Sequence, residues 1–223
     1  MTLHDEHKAE RRARILQAAR RLIARRGVAR LNMRDLAEEA RVSVPTVYNL
    51  IGGKQELLAA LLHSLIEGVA SAQVSLDPRA SFVDRANAMC LATQNALLEM
   101  PDYARELVLA LLTSDNQVRQ AIDRQSVELT ANLLRLGQAE GELVEWADPE
   151  LVAGAMYMAL VASMIRWAKR ELDDEGLCRW ISAGTGLALL GVTRGRARTQ
   201  MEELLRSIPP DETKEQKHGR KIA

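Results

Sequence analysis

The sequence predicts an all-α fold: a small N-terminal head of three helices followed by a larger helical body. Two observations carry that prediction. Apolar residues recur at helical spacing in nearly every segment, and no strand-like alternation survives along the 223 residues. Aromatic residues make up only 3% of the chain (Tyr48, Phe82, Tyr103, Trp146, Tyr157, Trp167 and Trp180), whereas sandwiches and barrels draw on aromatic and β-branched side chains. Hydrophobic residues at 47% and charged residues at 27% fit a soluble globular chain rather than a disordered one.

The elements follow in order. Ile15, Ala18, Ala19, Leu22 and Ile23 sit at i, i+3, i+4, i+7 and i+8, one face of a helix that stops at Gly27. Asn32 fits an N-cap, with Asp35 three residues on, and Leu36, Ala37 and Ala40 form the inner face of a short helix over 33–40. Ser43 is the next cap, and Pro45 suits the first turn of a helix over 44–51. Gly52-Gly53 breaks the chain, and Lys54 opens a longer helix carrying Leu57, Leu58, Leu61, Leu62 and Leu65. Further helices are expected at about 80–99, 101–113, 115–139, 149–171 and 174–193, punctuated by Pro101, Ser114-Asp115, Gly141 and Asp148-Pro149. Pro209-Pro210 and the polar run after it read as a disordered tail over 208–223. The domains are therefore a head over 1–57 and a body over 58–207.

Charge follows the same division. Thirty basic and thirty acidic residues sum to zero, which by itself argues against a nucleic-acid binder. Resolved along the chain, residues 1–57 carry twelve basic and seven acidic residues, net +5, and residues 58–195 carry eleven and eighteen, net −7. Residues 196–223 carry +2. The head attracts phosphates and the body is held off them.

Two short helices joined by three residues, with alanines where they cross and Val42 filling the turn, make a helix-turn-helix, whose second helix enters the major groove. Its outer face offers Thr46, Tyr48 and Asn49; hydroxyls can bond phosphates and Asn can read adenine.

Over residues 10–60 the chain resembles the TetR family of bacterial transcriptional regulators. The likeness rests on Arg14 to Ala19, Gly27, Met33 to Ala40, Val42 to Tyr48, and Lys54, Glu56 and Leu57. It implies a three-helix DNA-binding domain followed by a helical ligand-binding and dimerisation domain. Tyr48 and Lys54 are then expected on phosphates, Thr46 and Asn49 in the groove, and Arg34 and Ser43 on backbone or bases. Four features depart from the family pattern. Arg41 stands where the family has glycine in the turn, a left-handed site that costs another residue about 1 kcal/mol. Leu50 stands for a frequent histidine, Ile51 and Ile23 for phenylalanines, and Leu31-Asn32 for a pair of threonines.

The resemblance also places an effector pocket and a dimer interface in the body. Residues 149–171 are apolar nearly all round, so that helix must bury two faces; Ala183, Gly184, Gly186 and Ala188 permit close helix approach on 174–193. Two such helices per subunit make an intersubunit four-helix bundle in a homodimer. Candidate pocket residues are Phe82, Met89, Cys90, Met100, Tyr103, Leu107, Tyr157, Met164 and Trp167, each of which serves equally as plain core. Few flat stacking surfaces favour an aliphatic, lipophilic effector.

Other classes recede. Leu151 to Ala168 approaches the length of a membrane span, roughly 17 to 25 residues, but in an amphipathic chain it reads as a buried helix. Cys90 and Cys178 have no metal-type spacing and are expected as reduced thiols. No nucleophile elbow, P-loop or zinc-protease motif is present, so neither catalysis, metal nor cofactor is expected. Met1 to Arg12 is too polar for a secretory signal, and the location expected is the cytoplasm. The sequence thus points to a repressor released from a palindromic DNA operator by a small molecule. A second reading, a helical small-molecule-binding protein with an inactive head, is motivated by Arg41, Leu50 and the absent threonines.

Overall fold

The computed structural model describes residues 3–74, 80–112 and 117–210. They form α1 (Leu3–Arg26), α2 (Met33–Glu39), α3 (Val44–Leu50), α4 (Lys54–Val74), α5 (Phe82–Leu98), α6 (Pro101–Leu112), α7 (Gln117–Ala139), α8 (Pro149–Ala168), α9 (Asp174–Leu190) and α10 (Gly195–Ser207). The all-α prediction holds: among the described residues the only β feature is an isolated bridge between Leu143 and Thr193. The part of the expected tail beyond residue 210 lies outside the described residues.

The chain divides into two compact units, one of Met1–Ser75 with Asn95–Ser126, the other of Leu76–Gln94 with Val127–Ala223. The expected head over 1–57 falls inside the first unit, which also takes in α4 and α6.

In the first unit the apolar stripe of α1 is the core: Ile15, Ala18, Ala19 and Ile23 are fully buried, with Leu36, Val47, Leu57 and Leu61 from the next three helices. Burying one such large side chain contributes about 1.5–3 kcal/mol. The α1 terminus is set by Gly27, whose φ of +77° lies in the left-handed region. A Cβ there would stand 2.8 Å from Glu106 Oε2 of α6, and the same oxygen accepts the Val28 N–H at 3.3 Å. Two further contacts seat α1. Arg20 Nη2 donates to Ser64 Oγ of α4 at 2.8 Å, and its guanidinium lies 5.9 Å from the centroid of the Tyr103 ring on α6. Burial pushes the Tyr103 phenol up to about 12, with the Arg20 charge opposing the rise.

In the second unit Phe82 is fully buried against α7; a Cβ on Gly137 would come within 2.6 Å of its ring. Asp148 caps α8 by accepting from the Glu150 and Leu151 N–H groups at 2.9 and 3.3 Å. Asp173 caps α9 through Gly176 N–H at 2.7 Å. Buried Trp167 donates its indole N–H to Asp174 at 2.7 Å, tying the end of α8 to the start of α9.

The structure corrects three expectations here. Helix α8 stops at Ala168 rather than about 171, because Arg170 turns left-handed (φ 62°) and Glu171 N–H returns to the Arg166 carbonyl at 2.9 Å. Helix α9 ends at Leu190 rather than 193. Helix α10 was not expected at all, though Ala197 and Met201 are buried at i, i+4 spacing. It has no side-chain N-cap bond, so its start carries no sequence signature.

Candidate nucleic-acid interface

The two short helices are capped as the sequence requires. Asn32 Oδ1 accepts from Arg34 N–H at 3.1 Å and Asp35 N–H at 2.8 Å. Ser43 Oγ accepts from Thr46 N–H at 3.3 Å and bonds the Thr46 hydroxyl at 2.7 Å. Each cap is worth about 1 kcal/mol, which matters for seven-residue helices that could not stand alone. Ala37, Ala40 and Val47 are buried where the two helices cross.

The turn closes by a double return. Arg41 N–H donates to the Glu38 carbonyl at 3.1 Å and Val42 N–H to the Ala37 carbonyl at 2.9 Å. That is the Schellman arrangement, and it forces residue 41 left-handed; Arg41 has φ 55°. The chain therefore keeps the turn despite lacking glycine there.

On the outer surface of this motif Arg34, Ser43, Tyr48 and Asn49 are at least partly open to solvent, Tyr48 by 52%. Tyr48 therefore stands in water on a seven-residue helix whose neighbouring Val47 is fully buried. Thr46 is half-buried, its hydroxyl already engaged with Ser43. Lys54 is the first residue of α4, and its Nζ reaches the Ala29 carbonyl at 3.5 Å. That helix start is not bare: Glu56 Oε2 accepts the Gly53 N–H at 2.9 Å. A carboxylate therefore shares the amide positive pole near Lys54.

The basic excess of the head is less available than its sum suggests. Arg21 and Arg25 both donate to Glu39, at 3.0 and 2.7 Å, and Arg26 to Asp35 at 2.8 Å. Hydrogen bonds from Arg25 and then Arg21 hold the Glu39 carboxyl below the ordinary carboxylate range. These pairs clamp α2 onto α1. Linear sequence could not show this: residues 14 to 18 positions apart meet only once the helices cross, whereas spacing along one helix reveals only neighbours three or four apart. Arg34 and Arg41 have no ion pair among the described residues.

The pocket candidates fall in both units. Met100, Tyr103 and Leu107 belong to the first, where Tyr103 and Leu107 are buried. The Tyr103 hydroxyl lacks a hydrogen-bond partner of good geometry. In the second unit Phe82, Met89, Cys90 and Trp167 are buried, and Tyr157 and Met164 are half-buried on α8. Cys90 sits in a polar cluster: the Gln94 amide donates to its sulfur at 3.3 Å and to Ser182 Oγ at 2.9 Å. Burial pushes both thiols up, Cys90 and Cys178 alike, and both are free.

Helix α8 is long and apolar enough by composition to cross a membrane. Its expected full burial is not met within one chain, since Leu151 is 73% and Met158 68% exposed, as is Leu187 of α9 at 63%. The small residues of α9 are partly used inside the chain. A Cβ on Gly184 would lie 3.4 Å from Ala159, and one on Gly186 2.7 Å from Leu205 of α10.

A family model described as bacterial regulatory proteins, tetR family, matches residues 15–61. The chain is 31% identical over 202 residues to the probable HTH-type transcriptional regulator ArpR of Pseudomonas putida, covering 83% of this chain and 94% of that one. The HTH-type transcriptional regulator TtgR, also of Pseudomonas putida, matches with the same identity and coverage. In structure the chain is similar to SmeT, the repressor of the Stenotrophomonas maltophilia multidrug efflux pump SmeDEF. The TM-score is 0.65 at 22% identity, over 83% of this chain and 92% of SmeT. SmeT is also solved in complex with triclosan.

Proposed function

We propose, from the premise that this chain belongs to the TetR family of bacterial regulatory proteins, that it is a homodimeric repressor released from a palindromic operator by a small lipophilic effector. DNA-binding transcriptional regulation comes with the family; the particulars are the proposal. The observation that carries it is the capped α2–turn–α3 motif with Arg34, Tyr48 and Asn49 in solvent. Helix α3 enters the major groove, Tyr48 and Lys54 hold phosphates, Thr46 and Asn49 face bases, and Arg34 and Ser43 fix the motif on the backbone.

A dimer presents two α3 helices to half-sites about 34–36 Å apart, or a multiple of that. The α8–α9 face supports the dimer, because Leu151, Met158 and Leu187 stand in water in a single chain and a second copy would cover them. An effector that binds two head spacings unequally shifts the population away from the operator-competent one. The triclosan complex of SmeT supports a lipophilic effector class. Phe82, Met89, Cys90, Met100, Tyr103, Leu107, Tyr157, Met164 and Trp167 remain its candidate contacts. Such a regulator works in the cytoplasm and needs no catalytic step.

The test is selection of duplexes from a random pool, followed by gel shifts at physiological salt. A palindromic site is expected, and Tyr48→Ala with Lys54→Ala should weaken specific binding about a hundredfold while leaving the protein folded. Recovery of no specific site overturns the reading in favour of a ligand-binding protein with an inactive head.

A further inference from the structure

Arg41 combines three properties that call for a use outside the chain. It holds a left-handed backbone (φ 55°), which strains a side-chain-bearing residue. Its side chain is exposed and forms no ion pair or hydrogen bond among the described residues. Glycine would close the same turn without strain, so nothing inside the fold explains an arginine there. Strain held at a position with no internal compensation marks functional sites.

Position supplies the use. In a helix-turn-helix the first helix crosses the DNA backbone, and the second enters the groove by its N-terminal residues. The turn between them therefore passes the phosphate rim. Arg41 stands two residues before Ser43, the cap of α3. Arg34 stands at the other end of α2, a helix that rises about 10 Å along its axis. The charges around Arg41 are largely committed elsewhere. The turn borders an open cleft of about 670 Å³ lined by Arg14, Arg21, Arg26, Asp35, Glu38 and Glu39, among others. Glu39 is held by Arg21 and Arg25, and Asp35 by Arg26. Exposed Glu38 makes no ion pair with Arg41.

We infer that Arg41 is an additional DNA-phosphate contact, so that α2 is clamped to the backbone by an arginine at each end. This rests on the DNA-binding reading above. The backbone strain is present in both states and is offset in the complex by a charge-assisted contact, so the feature that motivates the inactive-head reading becomes part of the interface.

The test compares Arg41→Ala, Arg41→Lys and Arg41→Gly in the full-length protein. The probe is a fluorescent copy of the palindromic duplex recovered by selection from the random pool, titrated from about 50 to 200 mM salt. Ala and Lys keep the same backbone strain and differ in charge. Arg41→Ala is expected to weaken binding about five- to tenfold at low salt. It should flatten the slope of log affinity against log salt by about 1.8, because each dimer then neutralises two fewer phosphates. Arg41→Lys should keep the wild-type slope. Arg41→Gly should lose slope as Ala does while Tm rises by about 2–4 °C. An unchanged slope in Arg41→Ala, beside wild-type binding, overturns this assignment and leaves the regulator reading standing. An equal loss in Arg41→Lys overturns it too, because the charge would then not be the cause. Absence of specific binding by wild type overturns both.

Discussion

The α2–α3 motif and the α8–α9 face both present side chains to water that a self-sufficient fold would not, and the two sets are opposite in chemistry. On the motif they are Arg34, Arg41, Tyr48 and Asn49. On the face they are Leu151, Met158 and Leu187, with Trp180 half in solvent. The Trp180 ring is overlain by the Arg166 guanidinium at 5.2 Å, so even the cation there serves to cover an aromatic. A polyanion is recognised by displacing its counterions, which makes binding steeply salt-dependent. A second copy is recognised by removing apolar area from water, which salt hardly weakens. If the two faces serve as proposed, ionic strength should separate them.

The strongest way to break that contrast is to charge the apolar face. Met158→Asp with Leu187→Asp would leave unpaired carboxylates in any α8–α9 interface, each such burial costing about 3–5 kcal/mol. Sedimentation should show the dimer dissociation constant rising at least about a thousandfold, with operator binding lost as a consequence. A variant that remains dimeric would move the interface elsewhere. Next in size, Tyr48→Ala with Lys54→Ala removes two phosphate contacts per subunit, four per dimer, at about 0.7 kcal/mol each. Operator affinity should fall about a hundredfold by anisotropy, while sedimentation and Tm stay as in wild type.

Smaller effects test how the first unit is held together. Gly27→Ala puts a Cβ against Glu106 in a left-handed backbone and should cost about 1–2 kcal/mol. Calorimetry should register this as a Tm lowered by several degrees. The smallest change expected is Glu39→Gln. Because the folded Glu39 carboxyl titrates below its unfolded value, its stabilisation is present above the unfolded pKa and is lost as pH falls through the folded one. The glutamine variant should lack that component of acid unfolding. It also releases Arg21 and Arg25 from their shared acceptor, so low-salt binding to mixed-sequence duplex should rise by about two- to fivefold.

Much of this was legible in the one-dimensional pattern. The stripe from Ile15 to Ile23, the Asn32 and Ser43 caps and the alanines at the crossing each rest on residues three or four apart, a distance the helix itself fixes. Arg41 was legible as an anomaly only through the family resemblance, which puts glycine in that turn; the structure supplies the left-handed backbone. Helix α10 was passed over because Arg194 gives no side-chain cap, although Ala197 and Met201 carried the spacing. The candidate effector residues were legible only as apolar positions. Phe82 against Gly137 and Trp167 bonded to Asp174 take their surroundings from how whole helices pack, which apolar spacing alone does not specify.

By itself, the sequence determined the helical class, the capped helix-turn-helix and the segregation of charge into a basic head and an acidic body. All of these depend on local spacing or on sums along the chain. Tertiary structure alone decided which charges remain available. Arg21, Arg25 and Arg26 are taken up by Glu39 and Asp35, while Arg34 and Arg41 are left to solvent. It also decided that Gly184 and Gly186 are used within the chain and that Leu151, Met158 and Leu187 are not. The reason is the same in each case. A side chain is available to a partner only if the folded chain has not already satisfied it, and that depends on residues brought together across helices rather than along them.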